Sequence, residues 1–283
     1  MNKIAFNSPL DRIEQQNQDT LTEANAFRQR LQAGIAQRSD IPKLKQKHPY
    51  FGILPVSAAG LEILMLHAHD DVVAWEYIWN GVDGYETKVV QTWVNWCRTS
   101  PGCVLDIGAY SGLMSLLAAK AHPKNEVHLF EPLERVIERA NVNVKLNGLT
   151  QRVFRHAVAA SDHNGHAEIT LYRDENFLGT GSSIYCKEGK QTFGTKQIQT
   201  VALDTFLPGI CPTVVKIDVE GHELACLQGL EQTIARSKPK MLVEVWEHTR
   251  FHVLALLDAY GYEVQRFEAV ECGVNNYSAT PRP

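Results

Sequence analysis

A doubly wound α/β domain with a mostly parallel sheet is the fold class this sequence predicts. Three observations carry that expectation. Beyond Pro101-Gly102, short apolar runs alternate with amphipathic stretches of helical length. The first of those runs ends in a glycine-rich turn. The composition, 283 residues with 44% hydrophobic and 21% charged, is that of a globular chain large enough to bury a sizeable core. With only 19 Gly and 12 Pro and a net charge of −4, collagen-like, low-complexity and disordered chains are excluded. The mild negative charge also argues against a surface built for nucleic acid or anionic membrane, which requires a concentrated Lys/Arg field.

The elements follow in order. Residues 1–82 read as an N-terminal helical extension with an aromatic-rich lead-in. Leu21, Ala24, Phe27, Leu31 and Ile35 recur at spacings of three or four, which predicts one amphipathic helix over 20–37, ending before Pro42. That helix is expected to pack in cis or to pair in a homo-oligomer, with a partner protein as the alternative cover for its apolar stripe. Trp75, Trp79, Trp93 and Trp96 supply four of the five tryptophans, and a helix over 85–96 leads into the main domain, 83–283. Strands are expected at 103–107, 126–130, 152–159, 213–217 and 241–246, and helices at 113–121, 133–146, 222–234 and 250–260. Two alternating segments, 167–172 and 196–201, predict a β-hairpin insertion whose polar, glycine-bearing connection, about 173–195, reads as a lid or binding loop.

No run reaches the roughly 18 apolar residues that would span a bilayer, and the first residues lack the apolar core of a signal peptide. The expected location is the cytoplasm. Six scattered cysteines without a C-x-x-C pair predict reduced thiols and no structural zinc.

The chemistry concentrates at the first turn, Val104-Leu105-Asp106-Ile107-Gly108-Ala109-Tyr110-Ser111-Gly112. The dinucleotide fingerprint G-x-G-x-x-G fails in the register from Gly108, because Tyr110 and Leu113 stand where glycines belong. An acid on the strand repels a pyrophosphate and suits an ammonium group. The second strand ends in Phe130-Glu131-Pro132, where an acid can accept both hydroxyls of a ribose. An ammonium reader and a ribose reader without a phosphate cradle point to S-adenosylmethionine.

These residues, together with Gly84-Tyr85-Glu86, the NVKLNG run from Asn143 to Gly148, Val201-Ala202-Leu203-Asp204 and Val215-Lys216-Ile217-Asp218-Val219-Glu220-Gly221-His222-Glu223, resemble the FkbM-type S-adenosylmethionine-dependent methyltransferases from about residue 83 to 268. The resemblance implies a Rossmann-like class I methyltransferase fold. It implies that Asp106 and the backbone of Gly108 and Ala109, in a turn completed by Tyr110 and Gly112, face the methionine end of the cofactor. It assigns Glu86 to that end as well, Glu131 and Pro132 to the ribose, and the turn from Ala157 to Asp162 to the adenine border. Tyr110 departs from the family's usual Asn.

An acceptor hydroxyl has to lose its proton, which calls for a base or a metal. Asp218, Glu220, His222, Glu244 and His248 fall at the ends of the fourth and fifth strands, where ligands of open α/β sheets sit. Alternation on an extended strand end would turn Asp218 and Glu220 to one side. Equally, Glu220 and Glu223 suit the start of the following helix. Asp218, Glu220, Glu244 and His248 are the catalytic candidates, with Asp218 also bordering the cofactor, and no metal is expected. His248 and His252, spaced i, i+4 on the expected helix, would permit one. His163 and His166 read as surface residues. The resemblance implies transfer to oxygen on a small-molecule or glycan acceptor. Methylation of an amide or amine nitrogen on a protein acceptor is the alternative, and a non-catalytic adenosyl-binding regulator the second.

Overall fold

The structure is a computed structural model that describes residues 8–172, 178, 192–270 and 273–283. The chain divides into two units, Met1–Thr87 and Lys88–Pro283.

The N-terminal unit opens with α1 (Pro9–Gln32), followed by α2 (Ile41–Lys47), β1 (Phe51–Ala58), β2 (Leu61–Ala68) and α3 (Val72–Asn80). Helix α1 begins eleven residues before the predicted start at 20, because Ser8 and Asp11 form a capping box around Pro9 at the first helical position, and it ends at Gln32, five residues short of 37, leaving Ile35 exposed. The sequence reading has no strands here. Yet β1 and β2 form an antiparallel hairpin from Phe51↔Ala68 to Ala58↔Leu61. Its two turn residues, Ala59 and Gly60, both take positive φ (48° and 76°), as tight hairpin turns require. Trp75 and Trp79 are buried with Phe27 in the core of this unit, so these aromatics are packing residues.

The second unit is the predicted α/β domain. Its elements are α4 (Thr87–Thr99), β3 (Cys103–Ile107), α5 (Leu113–Ala121), β4 (Glu126–Phe130), α6 (Glu134–Leu146), β5 (Val153–His156), β6 (Ala159–Ala160), β7 (Gly165–Tyr172), β8 (Thr192–Val201), α7 (Leu203–Phe206), β9 (Pro212–Ile217), α8 (Glu223–Gln228), α9 (Glu231–Ser237), β10 (Lys240–Trp246), α10 (Glu247–Ala259), β11 (Tyr262–Val270) and β12 (Val274–Pro281). Seven strands form the main sheet in the order β11-β12-β10-β9-β3-β4-β5. The pairs β10–β9, β9–β3, β3–β4 and β4–β5 are parallel, and β12 runs antiparallel between β10 and β11. The chain winds outward from β3 in both directions, so the switch point lies between β3 and β9, and ligands are expected at the carboxyl ends of those strands.

Three expectations need correction. The predicted third strand, 152–159, is divided: β5 stays in the main sheet, and β6 joins β8 and β7 in a separate three-stranded sheet. The predicted helix 222–234 is two helices. Gly229 approaches Ser161 so closely that a Cβ there would lie 1.9 Å from its carbonyl oxygen. Asp204 then caps α9 by accepting from the amides of Gln232 and Thr233, each at 2.8 Å. Strands β11 and β12, which complete the sheet edge, were not foreseen. The β7–β8 pair is the predicted insertion hairpin, and its Ile169 and Ile198, with Ala159 of β6, pack against Leu133, Val136 and Tyr110. The expected lid, 173–195, lies outside the described residues except for Leu178 and the start of β8.

Candidate active site

The glycine turn is built where β3 leaves the sheet. Gly108 (φ 80°), Tyr110 (φ 50°) and Gly112 (φ 91°) all have left-handed backbones. At Gly108 this coincides with a close approach: a Cβ would sit 1.7 Å from the carbonyl oxygen of Asp218, so no other residue fits. The Gly108 and Ala109 amides both donate to Phe130 O at 3.0 Å, and the Asp218 amide donates to Ile107 O at 2.9 Å. Asn143, fully buried on α6, holds the far side of the turn by donating to Ser111 O at 2.8 Å.

Asp106 is fully buried beneath this turn. Its Oδ2 accepts from Ser115 Oγ at 2.6 Å, and its Oδ1 has no hydrogen-bond partner. Burial raises its pKa, opposed by the Lys216 ammonium and the Ser115 bond and reinforced by Asp218. The expected ammonium reader is therefore enclosed beneath the turn, with one oxygen held by Ser115 and the other buried without a hydrogen-bond partner.

Glu131, 8% exposed, accepts from the Leu133 amide at 2.9 Å. Burial pushes its carboxyl up to about 7; the Leu133 and Tyr110 amides oppose the shift, and Asp106 and Asp218 add to it. Pro132 is half-buried beside it and Ala157 is exposed after β5. Asp162 is exposed, and its Oδ1 accepts from Ser161 Oγ at 3.1 Å and contacts His163 Nδ1 at 2.6 Å. The His163 bond is the main cause of its lowered pKa. Glu86, φ 37°, lies at the end of the N-terminal unit, where it helps burial push the Tyr77 phenol up to about 12.

The acceptor-side candidates fall at the ends of β9 and β10. Lys216, 5% exposed, donates to Asp218 Oδ2 at 2.5 Å. The register Asp106↔Lys216 sets these groups side by side on one face of the sheet. Val243 pairs with Ile217, so Glu244, half-buried, is one step beyond the paired residues, level with Asp218. Glu220 departs from the expected alternation: its φ is 54°, so the chain turns there and is not extended. That removes the ground for turning Asp218 and Glu220 to one side. His248 is exposed in the first turn of α10, and His252 is exposed one turn on. Among the described residues no group of three or more His, Cys, Asp or Glu could hold a metal.

Two residues of the turn carry contacts that periodicity did not reveal. His222 Nε2 lies 2.9 Å from the buried Ser161 Oγ. Glu223, fully buried, accepts from the Gly221 amide at 2.6 Å through Oε1 and from Thr249 Oγ1 at 3.0 Å through Oε2. Burial pushes it up to about 7, with those bonds opposing and Asp218 adding to the shift. An acid spaced for a helix start gives no signal that its carboxylate turns inward.

The family described as Methyltransferase FkbM domain matches residues 106–264, more than half of the chain. The methyltransferase sdnD of Sordaria araneosa is 24% identical over 197 residues, 59% of this chain and 75% of that protein. Among solved structures, the methyltransferase FkbM of Methylobacillus flagellatus KT aligns with a TM-score of 0.45 and 18% identity. That alignment covers 63% of this chain and 43% of that one, so the chain spans less than half of its length. The precorrin-6y C5,15-methyltransferase of Geobacter metallireducens GS-15 aligns with a TM-score of 0.45 and 15% identity, over 70% of this chain and 90% of that one.

Proposed function

Since the chain belongs to the FkbM methyltransferase family, we propose that it is an S-adenosylmethionine-dependent methyltransferase acting on a hydroxyl of a sugar or natural-product acceptor. When bound, S-adenosylmethionine supplies an electrophilic methyl group on a sulfonium. The residues present fit such a ligand. Gly108 lets the glycine turn pack directly on the Asp218 carbonyl, Asp106 keeps one carboxylate oxygen without a hydrogen-bond partner, and Glu131 is a buried acid after β4. In this reading Asp106 and the turn backbone hold the methionine end, Glu131 accepts the ribose hydroxyls, and Ala157 and Asp162 border the base.

The single observation that carries the reading is the convergence of acids at the switch point. The Gly108 and Ala109 amides bond Phe130 O at the end of β4 and the Asp218 amide bonds Ile107 O at the end of β3, so the carboxyl ends of β3, β4 and β9, each carrying an acid, meet at one place suited to a cationic ligand. An acceptor hydroxyl gives up its proton as its oxygen takes the methyl. Asp218, Glu220 and Glu244 are the carboxylates that would receive it, and the enzyme's further task is to hold the oxygen in line with the methyl carbon. His248, exposed, suits the rim. The acceptor is a small molecule or glycan, and the location cytoplasmic; no described helix is long and apolar enough to cross a membrane.

Calorimetric titration with S-adenosylmethionine, S-adenosylhomocysteine and NAD tests the cofactor. Micromolar binding of the first two and none of NAD is expected, and a clear NAD signal alone would overturn the reading. Glu220→Gln should spare cofactor binding and lower transfer to acceptor hydroxyls by about 10²-fold or more, the scale of a lost general base.

A further inference from the structure

Glu223 is a fully buried carboxylate that touches neither face of the proposed reaction, yet it joins the two acidic segments of the site. One oxygen takes the amide of Gly221 at 2.6 Å, within the turn that follows β9 and carries Asp218 and Glu220. The other takes the hydroxyl of Thr249 at 3.0 Å, in the first turn of α10 just after Glu244 and Trp246. Thr249 Oγ1 also lies 3.0 Å from Trp246 O, a second acceptor within reach of its one proton at the end of β10.

The turn has need of such an anchor. Glu220 and Gly221 hold φ of 54° and 101°, and a non-glycine residue in that region keeps its conformation only where its surroundings impose it. The turn is also pressed against the glycine turn, since Gly108 meets the Asp218 carbonyl. A displaced anchor would therefore move Asp218 relative to Asp106 and Lys216.

We infer that Glu223 is a positioning residue that locks the Asp218–Glu220 turn and the Glu244–Thr249 segment into one geometry around the methyl-donor site. This rests on the reading of that site given above. Glu223→Gln can preserve both links, because its carbonyl accepts from Gly221 and its amide donates to Thr249, whose hydroxyl then turns to Trp246 O. Glu223→Ala breaks both, and Thr249→Val breaks only the link to α10.

The test uses the full chain and two readouts. Amide hydrogen exchange follows residues 218–222 and 246–250, and calorimetry gives the ratio of affinities for S-adenosylmethionine and S-adenosylhomocysteine, which differ only in the methyl and its charge. Glu223→Ala should speed exchange in both segments by at least about tenfold, the scale of one lost charge-assisted bond, and shift the ratio several-fold toward S-adenosylhomocysteine. A loss of stability alone would move both ligands equally. Glu223→Gln should stay within about twofold of the parent by both readouts. Thr249→Val should loosen mainly 246–250, and it keeps the inference testable if Glu223→Ala does not fold. Exchange confined to α8, or an unchanged ratio in Glu223→Ala, would overturn the inference. If the parent chain binds neither ligand, the cofactor reading fails, and the exchange data still decide whether Glu223 joins the segments.

Discussion

Glu131 shows how a single carboxyl can be set by its burial before any ligand arrives. Its pKa of about 7 reflects desolvation, and ribose hydroxyls donating to the carboxylate favour the ionised form. Cofactor affinity is therefore expected to rise as pH increases through about 7 and to level off above it, with proton release on binding. Calorimetry across that range in two buffers of different ionisation enthalpy measures this, and a flat profile would rule it out. Glu131→Gln should flatten the profile and weaken binding about tenfold. At Gly108 the constraint is steric. Gly108→Ala forces a Cβ into the Asp218 carbonyl and should cost more than about 3 kcal/mol, read as a lowered unfolding midpoint in denaturant. Both residues were legible in the sequence, Gly108 from the turn and Glu131 from its place after the second strand. Glu223 was legible only as a helix-start acid, because nothing in its spacing reveals a contact with Thr249, 26 residues away.

At the scale of elements, the motif residues divide between chemistry and scaffolding. Asp204 of the VALD run binds no candidate ligand group; it caps α9 through two backbone amides. Asp204→Ala should lower stability by about 1–2 kcal/mol and leave cofactor affinity unchanged, which paired denaturation and titration would check. A fall in affinity matching the fall in stability would show that α9 supports the site. Asn143 of the NVKLNG run braces the glycine turn from α6, so Asn143→Ala should weaken cofactor binding as well as stability, measured by the same pair. Strands and helices over 103–146 were read within one or two residues, since their apolar periods are strong and local. The hairpin β1–β2 escaped, since its turn is Ala59-Gly60 and carries none of the usual Asn-Gly or Asp-Gly signal. The break between α8 and α9 escaped too, because it depends on Gly229 meeting Ser161, a segment remote in sequence.

For the molecule as a whole, buried ionisable groups set opposing pH limits on stability. Glu131 and Glu223 have folded-state values raised to about 7, above the ordinary value of 4.5, so their contribution is full below about 4.5 and is lost as pH rises through about 7. His156, lowered to about 4 by burial and by its neighbour His128, contributes above about 6.5 and is lost as pH falls toward 4. The unfolding temperature of Glu223→Gln should therefore gain on the parent steadily between pH 4.5 and 7.5, and a constant difference would show that Glu223 does not titrate in this range. Sequence alone determined the α/β class, the alternation of strands and helices from residue 103, the acid on the first strand and the acids after the second and fourth. Those follow from local period and from the backbone freedom of glycine. Tertiary structure alone decided which of those acids are buried, that Glu220 turns out of alternation, and that β12 inserts antiparallel between β10 and β11. Burial, strained turns and strand order depend on contacts between residues far apart in the chain, and no local pattern encodes them.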